Sequence, residues 1–153
     1  MARAAAAPAA SERVLVVERE FKAPPDRVFA AFTDPKQLAK WWGPEGMNCP
    51  VCEIDLRVGG RYRTCMRGES GELWLSGIYR EIVRPRRLAF TWAWEENGVR
   101  GHETVVTIEF APAGRNTKVV LTQREFDSQE SRDNHGKGWT STFNCLDLYL
   151  GGK

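Results

Sequence analysis

What this chain lacks narrows its chemistry early. No apolar run approaches the length of a membrane-spanning helix, so membrane insertion is not expected. Neither sign of charge dominates: 22 Lys and Arg stand against 20 Asp and Glu, and neither is gathered into a block. That balance gives no footprint for nucleic acid and no polybasic anchor. There are two histidines, His102 and His135, with no H-x-x-x-H or H-x-H spacing, whereas a metal site needs about three protein ligands. Gly59-Gly60 precedes a strand-like run rather than a helix, so it reads as a turn or bulge and not as a phosphate loop. No Ser, Cys or His falls into a nucleophile motif. Neither a metal nor a cofactor is expected, and nothing in these patterns announces an enzyme.

Cysteine is sparse, with four residues at 49, 52, 65 and 145. Cys49-Pro50-Val51-Cys52 has C-x-x-C spacing, but a zinc site would want a second ligand pair and Cys65 and Cys145 are single. A thioredoxin-like pair should open a helix, whose N-terminus lowers the thiol pKa. Here the pair precedes a strand-like run, and incidental free thiols are expected. The first dozen residues are mostly alanine, contain no Leu, Ile or Phe, and are broken by Pro8. They make a poor signal-peptide core and read as a disordered tail over 1–12, ahead of one domain over 13–153 in a cytoplasmic protein.

The pattern that is present is aromatic and mostly β. Val14 to Phe21 reads as a strand. Ala23-Pro24-Pro25-Asp26 breaks it, and Val28, Phe29 and Phe32 form the apolar face of a short helix. Asp34 is the expected N-cap of a second helix with Pro35 at its first position, ended by Gly43-Pro44. From Cys52 to Gln123 the signal is β: Leu88, Phe90, Trp92 and Trp94 alternate with Ala89, Thr91 and Ala93, and the runs are joined by short Gly-, Pro- or Asn-containing turns. An antiparallel meander follows. Ser128 is the expected N-cap of a last helix reaching Leu150, with Trp139, Phe143, Leu146 and Leu150 on one face. Gly136 and Gly138 weaken its first half and mark either a close approach to the sheet or a kink.

The order strand, two short helices, about six strands and one long helix predicts an α+β fold in which a curved antiparallel sheet wraps the last helix. Trp41-Trp42-Gly43-Pro44 is its most informative point. Adjacent helical residues point about a quarter-turn apart, so both indoles are covered only where two surfaces meet. One is expected to anchor the short helices to the sheet. The other, Trp42, is expected to close the mouth of a pocket.

Several spaced strings then carry a resemblance. Asp34-Pro35, Leu38 and Trp41-Trp42-Gly43-Pro44 are followed by Asp55-Leu56-Arg57-Val58-Gly59-Gly60-Arg61-Tyr62. Gly77 to Trp92 and His135-Gly136-Lys137-Gly138-Trp139 with Phe143, Leu146 and Tyr149-Leu150 complete the set. Together they resemble bacterial homologues of the C-terminal domain of the activator of the heat-shock-protein-ninety ATPase, over Val14 to Leu150. The resemblance implies the helix-grip fold of the START and birch-pollen-allergen-like superfamily (SRPBCC), with a deep pocket between sheet and C-terminal helix. Members bind lipids, hormones or polyketides, some catalyse cyclisation or hydrolysis, and one branch activates a chaperone; fold alone does not choose among these. The chaperone activator has a separate N-terminal domain where this chain has a short Ala-rich tail, so a small stand-alone protein is expected.

The expected pocket lining is Trp42, Met47, Tyr62, Met66, Trp74, Glu81, Trp92, Trp94, His135, Trp139 and Phe143. The aromatic residues either fill the core or stack on a flat apolar ligand, and the residues alone allow both. Trp92 and Trp94 lie roughly 7 Å apart along one strand, so the one nearer the hairpin belongs at the rim. Arg80 and Glu81 sit mid-strand, and by alternation one must face inward, where a carboxylate would need a partner such as Arg63. His135 is a candidate for the pocket mouth. The leading expectation is a binding module for a small hydrophobic molecule. The alternatives are a cyclase- or hydrolase-type enzyme in the same pocket, and a domain that binds a chaperone or a second copy of itself as a homodimer.

Overall fold

The computed structural model describes residues 13–152, so the Ala-rich segment over 1–12 lies outside the described residues. The elements are β1 (Val14–Phe21), α1 (Pro25–Thr33), α2 (Pro35–Trp41), β2 (Asn48–Ile54), β3 (Arg61–Gly68), β4 (Gly71–Val83), β5 (Arg87–Glu96), β6 (Val99–Arg100), β7 (Thr104–Ala113), β8 (Asn116–Arg124) and α3 (Gln129–Asp147). A π-helical turn over Leu148–Gly152 follows α3. The sheet runs β1-β8-β7-β5-β4-β3-β2, with β6 paired to β5, and all its pairs are antiparallel. The one long connection is β1 to β2, which carries α1 and α2; β8 passes to α3 through four residues. The fold is thus α+β, with the curved sheet gripping the long helix.

Local chemistry sets these boundaries. Asp34 accepts a hydrogen bond from the Lys36 amide and Pro35 opens α2, while Ser128 accepts from the Ser131 amide at the start of α3. Two features bend β4, the longest strand. A side chain at Gly77 would strike the Thr91 carbonyl at 1.9 Å, so only glycine lets β4 approach β5 there. A bulge between Tyr79 and Glu81 then inserts one extra residue.

That bulge corrects the expected alternation. Tyr79 is buried, but neither Arg80 nor Glu81 turns inward after it. Arg80 stands 4.0 Å from Glu103, and Glu81 accepts from Arg87 at 2.8 Å on the outer face. The carboxylate facing Arg63 is Glu95, at 2.9 Å.

The tryptophan pair is resolved by where α2 stops. Helical geometry ends at Trp41, and Trp42 is already extended at φ −72° and ψ 122°. Trp41 turns back to α1, donating to the Ala31 carbonyl at 3.0 Å and meeting Phe32 edge-on at 4.8 Å between centroids. Trp42 turns to the sheet and donates to Thr64 Oγ1 at 3.1 Å. Both are buried, at 3% and 6% exposure, and Trp42 forms part of the wall of a cavity described below.

Candidate functional site

Between the concave face of the sheet and the first half of α3 lies a cavity of about 300 Å³. Its deep wall is indole. Trp42 meets Trp139 and Trp92 at centroid distances of 5.6 and 6.0 Å, and Trp92 meets Trp139 at 5.1 Å. Met66 of β3 closes the wall beside them. Trp94, two residues along β5 and on the same face, is half-buried and stands at the rim with Leu73 of β4, Pro44 and Asn134. No Asp, Glu, Lys or Arg lines the space.

The two glycines of α3 act differently. A side chain at Gly136 would meet Leu15 Cδ1 at 3.1 Å, so here the helix presses close to β1. A side chain at Gly138 would meet nothing within 4 Å, because that position faces the cavity. Gly138 and Thr142 are the small members of the helical stripe beside Trp139, and their size makes the room.

His135 is the one titratable side chain on the cavity wall. Its Nδ1 lies 2.7 Å from the Ser131 carbonyl, and Trp94 Nε1 donates to its Nε2 at 2.9 Å. A ring that accepts an indole N–H at Nε2 must carry its proton on Nδ1, so this pattern selects the neutral tautomer. Burial holds the His135 pKa below the usual histidine range, opposed by the Ser131 carbonyl and by the charge of Asp127. Both ring nitrogens are therefore committed. Nearby, Trp139 Nε1 donates to Gln123 at 2.8 Å, and fully buried Gln123 donates to Thr104 at 2.8 Å. This polar chain pins α3 to β8 and β7.

Of the eleven residues expected to line the pocket, the structure brings six to this cavity: Trp42, Met66, Trp92, Trp94, His135 and Trp139. The other five lie elsewhere. Phe143 is wholly buried below Trp139 and packs edge-on against Phe21 at 5.4 Å. Tyr62 packs with Tyr79 and Phe90 and donates to the Thr91 carbonyl at 2.6 Å. Met47 fills the space beside Gly68. Glu81 is outside, as described. Trp74 is on the convex face, under the Arg63 guanidinium at 4.2 Å, because the inward positions of β4 are Leu73 and Leu75. Sequence reasoning missed Gly43, Pro44, Leu73, Asn134, Gly138 and Thr142. The signal for two of them was the run of small residues flanking the apolar stripe of α3.

The remaining candidates stand apart. Cys49 and Cys52 both belong to β2, and all four cysteines are free thiols. The Cys52 side chain holds the Cys49 thiol below the usual range and is itself pushed up by Cys49. His102 Nε2 lies 2.6 Å from the Glu125 carbonyl, exposed to solvent. Among the described residues no three metal-ligating side chains converge, and no helix is long and apolar enough to cross a membrane.

A curved antiparallel sheet closed over a long C-terminal helix, with a cavity between them, defines the helix-grip class. The chain belongs to the family of activator of Hsp90 ATPase homolog 1-like proteins, whose sequence model matches residues 22–151. Among solved structures it is similar to the AHSA1 protein from Silicibacter pomeroyi, with 33% identity over 90% of this chain and 96% of that one and a TM-score of 0.80. A protein from Chromobacterium violaceum is 30% identical over 90% of this chain and 96% of its own, with a TM-score of 0.81. One from Nitrosomonas europaea is 27% identical over 94% and 97%, with a TM-score of 0.78. None of the curated proteins compared matches the chain.

Proposed function

We propose that this protein is a binding module that holds a small apolar or aromatic molecule, non-covalently, in the indole-walled cavity. The observation that carries this reading is the cavity's composition: about 300 Å³ of space, walled by four tryptophans, with no charged residue on its lining. That volume is at the lower end of the range for small-molecule sites, and an apolar wall with few polar groups is their usual make-up. Helix-grip folds of this kind commonly bind hydrophobic ligands. The state of His135 supports binding over catalysis. With Nδ1 turned to a carbonyl and Nε2 occupied by Trp94, the ring has no lone pair free to take a proton from a substrate. We place the protein in the cytoplasm, a compartment that suits its four unpaired thiols.

A titration with N-phenyl-1-naphthylamine, a neutral fluorophore that brightens in apolar surroundings, tests the reading. Saturable one-to-one binding with quenching of tryptophan emission is expected. Absence of saturable binding up to the solubility of the probe would overturn it.

A further inference from the structure

The chain has six indoles, and five of their N–H groups have acceptors. The exception is Trp92. Its Nε1 is the one buried side-chain nitrogen or oxygen without a hydrogen-bond partner among the described residues, in a side chain only 5% exposed. An unmatched buried donor forfeits its hydration with no hydrogen bond in return, and native proteins seldom keep one without a use. The rings nearest Trp92 are Trp139, Trp94 and Trp42, at 5.1, 5.5 and 6.0 Å between centroids. Their faces offer at most a weak N–H···π contact. The other deep donors are already spent: Trp42 on Thr64, Trp139 on Gln123, and the Thr142 hydroxyl on the Gly138 carbonyl.

We infer that the molecule held in the cavity carries an uncharged carbonyl on a flat apolar body, an aryl ketone or quinone by chemical class, and that Trp92 Nε1–H donates to that oxygen. This rests on the cavity being a ligand site, as proposed above. A ketone brings an acceptor and no donor, which matches a wall whose unspent deep group is a donor. It is uncharged because no Lys or Arg lines the cavity to balance a carboxylate. The body is flat because indole faces bound the space, and flat rings stack on them. The N–H is covered by protein, so the oxygen reaches it through a small turn of the Trp92 ring, the one indole of the wall that no hydrogen bond holds. Trp92 is then the residue that sets specificity.

The test is a matched pair of probes, 2-acetylnaphthalene and 2-isopropenylnaphthalene, alike in shape and differing by C=O against C=CH₂. Calorimetric affinities are measured for both on the wild-type protein and on Trp92→Phe. The ketone-to-alkene affinity ratio is expected to fall about tenfold in the variant, the equivalent of roughly 1.4 kcal/mol. An unchanged ratio with both probes bound would overturn the inference and leave the cavity reading standing. Binding of neither probe to the wild type would overturn both. Should Trp92→Phe not fold, the wild type still decides. Its Trp92 indole N–H resonance, assigned through contacts to Trp139 and Trp94, moves downfield with the ketone and not with the alkene; a shift confined to another indole, or none, contradicts the inference.

Discussion

The two ends of the space beneath α3 are both aromatic and differ in almost everything else. At the α1 end, Phe21, Phe29, Phe32, Phe110 and Phe143 meet edge-on at centroid distances of 5.3 to 6.5 Å, and none is more than 5% exposed. At the other end Trp42, Trp92, Trp94 and Trp139 stand around a cavity of about 300 Å³. Phenylalanine has no polar handle, so a phenylalanine cluster can close completely at no hydrogen-bonding cost. Each indole carries an N–H that needs an acceptor. Those acceptors, Thr64, Gln123 and His135, fix the rings in place and keep the wall from collapsing into the space. One end is core, and the other is a built wall.

Breaking each end separately tests that division. The largest stability loss is expected from Phe29→Ala, which deletes a fully buried ring at the closed end. It should cost about 3–5 kcal/mol, read from the denaturation midpoint. Affinity for N-phenyl-1-naphthylamine should stay unchanged wherever the variant is folded.

Trp42→Ala should cost about 3 kcal/mol by the same measure and also weaken probe binding, because the ring is at once packed against Trp41 and part of the wall. Were Phe29→Ala to weaken binding while Trp42→Ala left it intact, the division would be wrong.

The smallest effect is a pH dependence. Unfolded, His135 titrates near its ordinary value of about 6.5. Folded, burial holds it lower. Below pH 6.5 the unfolded chain therefore binds more protons than the folded one. The contribution is whole above that pH and is lost as the pH falls from 6.5 through the folded value. A protonated Nε2 would also face the Trp94 N–H, donor against donor. The melting temperature of the wild type should thus fall more steeply from pH 7 to pH 5 than that of His135→Gln, whose side chain does not titrate; parallel profiles would remove His135 from the account.

How far the sequence could reach follows from the same contrast. Period-two alternation in Leu88 to Trp94 was readable because the intervening residues are smaller and less aromatic, and it placed Trp92 and Trp94 on one face with Trp94 nearer the rim. Leu73-Trp74-Leu75 has no alternation of polarity, so nothing in it announced that Trp74 faces out. The bulge at Arg80 has no Gly or Pro to mark it, and one extra residue inverts every inference drawn along the strand after it. Trp41-Trp42 pointed to two meeting surfaces, which the structure contains. Trp42 was expected at the pocket mouth because Gly43-Pro44 follows it; helical geometry ends at Trp41, and Trp42, Gly43 and Pro44 all line the cavity. Gly138 was noted as a weak point of α3. That it leaves room on the cavity side depends on the helix's rotation against the sheet, which no local pattern encodes.

Gly138→Leu measures the central claim most directly. The new side chain enters open space, and replacing glycine inside a helix adds up to about 1 kcal/mol of helix propensity. The account predicts a melting temperature equal to or above that of the wild type, with affinity for N-phenyl-1-naphthylamine reduced at least tenfold. Undiminished affinity in a folded Gly138→Leu protein would contradict it, since the probe would then be binding somewhere other than the indole-walled cavity.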